Sequence, residues 1–370
     1  LVERITIRGK DYLFYPAFPI HVAFLRGTCA DEKGNVTLEK EVATLEATSV
    51  AQAVKNSGGV VVVQVEEVVR AGSLDPRLVK LPGIYVDYVV VAGPEDHEQS
   101  IGCRYDPVLS GERRAPDAEL APLPLSAKKV IGRRGAFELE PDIAVNLGVG
   151  APEYVASVAA EEGVGDRMTL TVEGGPVGGI PQGGPRFGAS ANADAILDQG
   201  YQFDFYDGGG LDQAYLGLAQ CDQHGNINVS RFGPKIAGCG GFIDITQNTR
   251  KVFFCGTFTT GGLKIRIQNG AVHIDQEGRS KKFLRKVEQV TFSGDMAVQN
   301  GQQVTYITER CVFRLRPDGL HLTEIAPGID LQRDILDQME FAPIVDDKDG
   351  VVPLMDPRIF QDTPMGLGRD

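Results

Sequence analysis

The sequence has no tryptophan and few methionines, and no apolar stretch reaches the roughly 18 uncharged residues that a membrane-crossing helix needs. Its start lacks the hydrophobic core of a signal peptide. Its six cysteines, Cys29, Cys103, Cys221, Cys239, Cys255 and Cys311, are far apart, form no CxxC pair and have no histidines at zinc spacing. An even count permits disulfides, but 370 residues, 42% of them hydrophobic, can build substantial cores without them, so reduced thiols in a cytoplasmic or organelle-matrix protein are expected, with the cytoplasm preferred. Basic residues are in deficit, 37 against 50 acidic, and the net charge of −13 makes the average field repel nucleic acid and anionic membrane while leaving a local anion site open. What the chain does have in quantity is glycine, 45 residues, with 21 prolines and no three-residue period. That excludes collagen and implies many tight turns and close backbone approaches.

The order of elements is that of α/β architecture. VERITI, YLFY and HVAFLRG read as strands. After the turn DEKGN, VTLEKEVATLEATSVAQAVKN carries apolar residues at helical spacing, and Gly58-Gly59 stops it before the strand VVVVQVEEVV. That strand and IYVDYVVVAG are apolar on both faces, which predicts cover on both. Residues 106–129, with four prolines and mixed charge, read as a surface linker or domain crossing. Beyond it the pattern runs strand, glycine turn, helix and strand through residues 144–175, with Pro152 suited to the first helical turn and Gly163 to the end. KVFFCGTF, LKIRI, QVTYITERCVF and GLHLTEI follow as strands, then a helix-like IDLQRDILDQM. DEKGNVTLE at 31–39 and DQHGNINVS at 222–230 share Asp, Gly and Asn at an offset of 191. Ser57-Gly58-Gly59 and Cys239-Gly240-Gly241 pair at a different offset, 182. Two related units, or recurrent turn chemistry, would produce such an echo.

Glu173 is the foremost candidate for chemistry. It ends the predicted strand MTLTVE just before Gly174-Gly175, and ligands of open α/β sheets collect outside the carboxyl ends of strands. A lone Glu before glycine is ordinarily a polar turn residue, but the long loop GGPVGGIPQGGPRFG leaves room for a carboxylate to meet an electrophile, and a carboxylate can act as a covalent nucleophile. Gly148 and Gly150, in GVGAP before a helix, are either a structural turn or the wall of a site, and they do not form the GxGxxG dinucleotide fingerprint. Gly238 to Asp244 reads as a strand-entry turn whose amides could stabilise an oxyanion. Cys239 within it has no sequence-close partner to activate it. Gly208, Gly209 and Gly210 after Asp207 offer a pocket-lining loop or only backbone geometry. His21, His97, His224 and His321 form no HExxH or other short metal pattern, so no metal site is expected. Arg113 and Arg114 read as a solvated turn or an anion contact, and Glu309-Arg310 as an internal ion pair or a functional one.

Taken together, NSGGVVVVQVE at 56–66, PGIYVDYVVVA at 82–92, NLGVGAPE at 146–153, TVEGG at 171–175, FDFYDGGGLD at 203–212 and GCGGFIDITQ at 238–247 occur in the order found in family I coenzyme A transferases. The chain resembles the carboxy-terminal two thirds of the single-chain acetate/propionate, or short-chain acyl, group. The resemblance implies an α/β fold of two related domains, the first incomplete: residues 1–125 as the rest of the amino-terminal domain and linker, and 126–370 as the carboxy-terminal domain. It implies Glu173 as catalytic glutamate, with Gly240 or Gly241 as backbone contributor to an oxyanion site. Gly148 and Gly150 would form the substrate wall, and Gly208–Gly210 part of the coenzyme pocket. The substrates would be coenzyme A, acyl-CoA and short-chain carboxylates such as acetate or propionate, exchanged through a glutamyl-CoA thioester with no tightly bound cofactor. An absent amino-terminal segment or companion chain, and homo-oligomerisation, are the expected partners. An acyl-CoA hydrolase and a noncatalytic subunit are the competing readings.

Overall fold

The computed structural model describes residues 2–116 and 123–368, so Leu1 and residues 117–122 of the expected linker lie outside the described residues. The chain divides into two compact units, Leu1–Asp106 and Pro107–Asp370.

In the first unit a hairpin, Glu3–Ile7 with Lys10–Phe14, precedes a parallel three-stranded sheet in the order Val22–Arg26, Val60–Val65, Tyr88–Val91. The helix Ala47–Asn56 buries Ala51 and Val54 against Ala23, Val61, Val63 and Val65 on one face of this sheet. The expected helix from Val36 starts late. Val36 pairs with Ala30 and Leu81 in a second, four-stranded sheet, and Leu45 takes a left-handed conformation (φ 49°) that helix cannot include. Sheet pairing outcompetes the helical spacing of the apolar residues. The strand 60–65 is central, as expected, but only its helix-facing side is fully buried, and Tyr88–Val91 is an edge strand that is largely exposed, so neither has the expected cover on both faces. On the face away from the helix, Phe24 is 82% exposed and Val22, Tyr88 and Val90 are also exposed.

The second unit is built on a ten-stranded sheet whose middle five strands are parallel, in the order Thr169–Thr171, Ala144–Leu147, Gln213–Gly217, Lys251–Cys255, Gln303–Ile307. Alternation along these strands feeds two cores. Val252 and Phe254 pack with Tyr206, Phe242 and Ile245 of the helices Gln199–Asp207 and Phe242–Gln247. Phe253 and Cys255 pack with Ile131 and Val155 of the helices Ala127–Ala136 and Glu153–Glu161. Cover on both faces explains the near-continuous apolar run KVFFC. The stretch read as linker belongs partly to this unit: Leu109 is buried, the Ala115 backbone exchanges two hydrogen bonds with the Asn192 side chain, and residues 127–129 begin a helix. At the far end IDLQRDILDQM makes one wide turn, Leu331–Ile335, and a 3₁₀ turn rather than a regular helix.

The internal echo is structural, with one correction. In both units Asp caps the turn by accepting amides at its second and fourth following residues, Lys33 and Asn35 on Asp31, His224 and Asn226 on Asp222. In both, the Asn side-chain oxygen then accepts the amide of a remote glycine, Gly83 or Gly294, at 2.9 Å. Val22 pairs in parallel with Val60, and Gln213 with Lys251, so the 191-residue offset holds from the first strand through the helix into the next strand. Consequently Cys239-Gly240-Gly241 does not correspond to Ser57-Gly58-Gly59. It opens the helix Phe242–Gln247, and is a helix-entry turn, not the strand-entry turn expected from sequence.

Candidate active site

The strand order reverses direction at Ala144–Leu147: the next strand in sequence, Thr169–Thr171, lies on one side of it and Gln213–Gly217 on the other. Such a switch point opens a crevice at the carboxyl ends of the strands, because the crossovers on either side run to opposite faces. A cavity of about 260 Å³ lies there, lined by residues from all three strand ends, Leu147–Val149, Val172–Glu173 and Leu216–Gly217, and by Cys239–Phe242. Its walls are mostly apolar, with Phe187, Val229 and Ile245 completing them.

Glu173 stands at the first corner of a tight turn between Thr169–Thr171 and Pro176–Val177, closed by the Gly175 amide on the Val172 carbonyl at 3.0 Å. Gly175 has φ 123°, and a Cβ there would come within 2.0 Å of the Leu197 carbonyl, so only glycine fits the corner. Among the described residues no side chain or amide donates to the Glu173 carboxylate. Burial raises its pKa, and the nearby Asp244 carboxylate raises it further. A half-buried carboxylate facing an apolar cavity without a partner among the described residues is unfavourable for folding, and such an arrangement could serve acid–base or nucleophilic chemistry.

Gly241 meets Glu173 most closely: a Cβ at this position would sit 2.6 Å from Glu173 Oε2 and 2.9 Å from the Phe203 ring. Neither the Gly240 nor the Gly241 amide donates to an acceptor among the described residues. Two unpaired amides at a helix entry, beside a carboxylate and a cavity, suit an oxyanion. Gly148 lines the cavity too, its amide fixed on the Tyr215 carbonyl at 2.8 Å. The structure therefore brings together Glu173, Gly148, Gly240 and Gly241. Gly150 is outside the cavity lining, with φ 93° and its amide on the Glu153 carboxylate at 2.9 Å. Gly208, Gly209 and Gly210 are also outside it. They cap the end of the helix Gln199–Asp207, donating to the carbonyls of Asp204, Tyr206 and Phe205.

Other polar candidates find structural partners. Glu309 and Arg310 are an internal ion pair, 2.7 Å apart and fully buried, with Glu277 on the outer side of the guanidinium. His321 lies between Asp318 and Asp346, His97 on Gln64, and Arg114 on Asp194. Among the described residues no group of three or more His, Cys, Asp or Glu side chains could hold a metal ion, and no helix is long and apolar enough to cross a membrane. Sequence reasoning missed Phe187, Leu216 and Val229, which arrive from separate loops and strands. It also gave no role to Asn146, Gln202 and Tyr206 beneath Glu173, although Asn146 and Tyr206 lie in the segments NLGVGAPE and FDFYDGGGLD and Gln202 and Tyr206 are four apart on one helix face.

Residues 2–92 match the family model for coenzyme A transferase. Over 367 residues the chain is 47% identical to acetate CoA-transferase YdiF of Escherichia coli, covering 99% of this chain and 68% of that protein. It is 52% identical to caffeate CoA-transferase of Acetobacterium woodii over 351 residues, 93% of this chain and 67% of that one. Among solved structures, acyl-CoA transferase YdiF from E. coli O157:H7 superimposes with a TM-score of 0.91 as apoenzyme, at 46% identity, covering 99% of this chain and 68% of the other. Its thioester complex with CoA gives 0.90. The chain belongs to the family I coenzyme A transferases, enzymes that move coenzyme A between acyl groups and take CoA and acyl-CoA as substrates. Its fold is theirs, and it spans about two thirds of the length of these relatives.

Proposed function

We propose that this protein transfers coenzyme A reversibly between a short-chain acyl-CoA and a carboxylate such as acetate or propionate, through a covalent thioester on Glu173. The observation that carries this reading is the Glu173 carboxylate at the cavity, beside the amides of Gly240 and Gly241, all three without a hydrogen-bond partner among the described residues. The ionised carboxylate attacks the acyl-CoA carbonyl carbon. The C–S bond breaks, CoA leaves as thiolate, and an acyl-glutamyl anhydride remains. The thiolate then attacks the glutamyl carbonyl, expelling the first carboxylate and leaving a glutamyl-CoA thioester. A second carboxylate runs both steps backwards and departs as its CoA ester. Each addition places negative charge on a carbonyl oxygen, which the Gly240 and Gly241 amides receive without reorganising. The apolar walls hold water away from the anhydride and thioester, either of which hydrolysis would waste. Gly148 serves as the wall against which the acyl group lies. In this reading residues 126–370 form the domain that carries the glutamate, and residues 1–125 the remainder of the other domain with its linker.

The likeness to an acetate CoA-transferase supports a small acid as acceptor. The likeness to a caffeate CoA-transferase, together with Phe187 in this chain's own cavity wall, supports a bulkier aromatic acid as the second reading. One experiment separates these and the hydrolase. Acyl-CoA is supplied without acceptor, the protein is digested, and the CoA adduct is mapped by mass; acetate, propionate and caffeate are then compared in discharging it. The adduct is expected on Glu173, discharged fastest by acetate or propionate. An adduct elsewhere overturns the nucleophile, preference for caffeate overturns the substrate class, and turnover without any carboxylate makes the protein a hydrolase.

The exposed apolar face of the sheet formed by Val22–Arg26, Val60–Val65 and Tyr88–Val91 supports a further polypeptide segment as its cover, followed by homo-oligomerisation of completed units. Leaving several large apolar side chains in water forfeits about 1.5–3 kcal/mol for each that could be fully buried. Native mass spectrometry of the active species is expected to show an additional segment; an active assembly built only from copies of this 370-residue chain would refute the requirement.

A further inference from the structure

Among the described residues nothing hydrogen-bonds the Glu173 carboxylate, so its position depends strongly on its backbone, and that backbone rests on a buried polar cluster. Asn146, Thr171, Gln202 and Tyr206 are each at most 3% exposed. The Tyr206 hydroxyl is their hub. It donates to Thr171 Oγ1 at 2.8 Å and accepts from Gln202 Nε2 at 3.0 Å and Asn146 Nδ2 at 3.2 Å. One donor and two acceptor positions are all that a phenol has, so the hub is saturated in one arrangement.

From this hub the bonds run to the main chain under the glutamate. Asn146 Nδ2 also donates to the Thr171 carbonyl at 3.3 Å, and Thr171 Oγ1 donates to the Val145 carbonyl at 3.1 Å. Gln202 Nε2 reaches the Val172 carbonyl at 3.3 Å, the same oxygen that accepts the Gly175 amide and closes the turn bearing Glu173. Two adjoining parallel strands and one helix are thus tied at the two residues preceding Glu173. None of the four lies within reach of a hydrogen bond to the carboxylate itself. An apolar filling of the same volume would stabilise comparably while fixing no carbonyl direction.

We propose that Gln202, Tyr206, Thr171 and Asn146 act as positioning residues that hold the Glu173 turn in its attacking geometry. This inference rests on the reading of Glu173 as the nucleophile. The roles differ: Tyr206 fixes the hydroxyl of Thr171, Gln202 clamps the carbonyl of the turn, and Asn146 ties both to the neighbouring strand. A shift of about 1 Å at a reacting atom can cost on the order of 100-fold in rate, so losing one clamp while the others remain is expected to cost about 10- to 100-fold.

The test is a single-turnover measurement of CoA-adduct formation in the complete, active assembly, using Gln202→Met, which keeps volume and helix, and the pair Thr171→Val and Thr171→Ser. Gln202→Met and Thr171→Val are expected to slow adduct formation about 10- to 100-fold with KM for acyl-CoA within about twofold of the parent. Thr171→Ser is expected to recover most of the rate lost in Thr171→Val, because it restores the hydroxyl and not the methyl. Adduct formation at the parental rate in both Gln202→Met and Thr171→Val, or a Thr171→Ser rate no better than that of Thr171→Val, overturns the positioning role. Mapping of the parental adduct tests the nucleophile separately: an adduct away from Glu173 removes the premise, whereas an adduct on Glu173 with unaltered variant rates removes only the inference. If Thr171→Val fails to fold, Gln202→Met decides alone, since its substitution lies on a helix and leaves the Gly175 bond to Val172 in place.

Discussion

Glu173→Gln is expected to abolish both CoA-adduct formation and exchange while leaving the fold intact. The amide keeps the size of the side chain and removes the nucleophile, and no hydrogen bond among the described residues depends on the carboxylate. The same change should raise thermal stability at neutral pH. Burial and Asp244 raise the pKa of Glu173 in the folded protein, so the folded state binds this proton more tightly than the unfolded chain does. The stability contributed by that proton is complete below the ordinary glutamate value of about 4.3, and is lost as pH rises through the raised folded value. At neutral pH the ionised carboxylate is therefore a cost, which glutamine relieves. For the rate the sign is opposite: only the ionised form attacks, so the acid limb of adduct formation should fall above the ordinary glutamate range. Glu173→Asp retains the charge and withdraws it by one methylene, with a loss on the order of 100-fold expected from misplacement. Exchange at the parental rate in a folded Glu173→Gln protein would exclude this residue as nucleophile, and a fall in melting temperature would contradict the electrostatic account.

Gly241→Ala should produce the second large effect. The added Cβ would sit 2.6 Å from Glu173 Oε2 and 2.9 Å from the Phe203 ring, and a carbon that close must displace the carboxylate, the ring or the helix entry. Displacement of the carboxylate or of the adjoining amide is expected to lower the rate by on the order of 100-fold or more, through both nucleophile placement and oxyanion stabilisation. Gly240→Ala makes the internal comparison. Its Cβ would have nothing within 4 Å, and its φ of 53° costs only about 1–2 kcal/mol for a non-glycine residue. Steady-state rates with melting temperatures on the two variants should show activity lost chiefly in Gly241→Ala, while Gly240→Ala loses stability with little loss of activity. Equal activity in both would mean that contact with Glu173 is not what glycine provides at 241.

Local patterns carried much of the fold because they are enforced locally. An apolar run of strand length, a glycine pair and a helical repeat specify strand, turn and helix whatever lies around them, as at Val60–Val65 and Glu153–Glu161. Where a segment could satisfy its backbone in two ways, the remote partner decided. Val36 gave up a helix to pair with Leu81, and the turn at Gly240-Gly241 opened a helix although the other glycine pair, at Gly58-Gly59, opened a strand. The exposed strand Tyr88–Val91 shows the same limit: sequence states how apolar a strand is, not what covers it.

For the site, the division is sharper. The sequence by itself determined that a glutamate stands at a strand end among glycines, and that six segments along the chain match one family's pattern in order. Only the tertiary structure decided that Gly241 is the one whose missing side chain makes room for Glu173, and that Gly208–Gly210 cap a helix outside the cavity. It alone set Tyr206, Gln202, Thr171 and Asn146 beneath the turn. The physical reason is that a cavity and a hydrogen-bond hub are made by side chains from several strands and helices converging on one point. Periodicity and turn chemistry act over a few residues and fix each element alone, while the crossing of elements at the switch point is set by burial on both faces of the sheet.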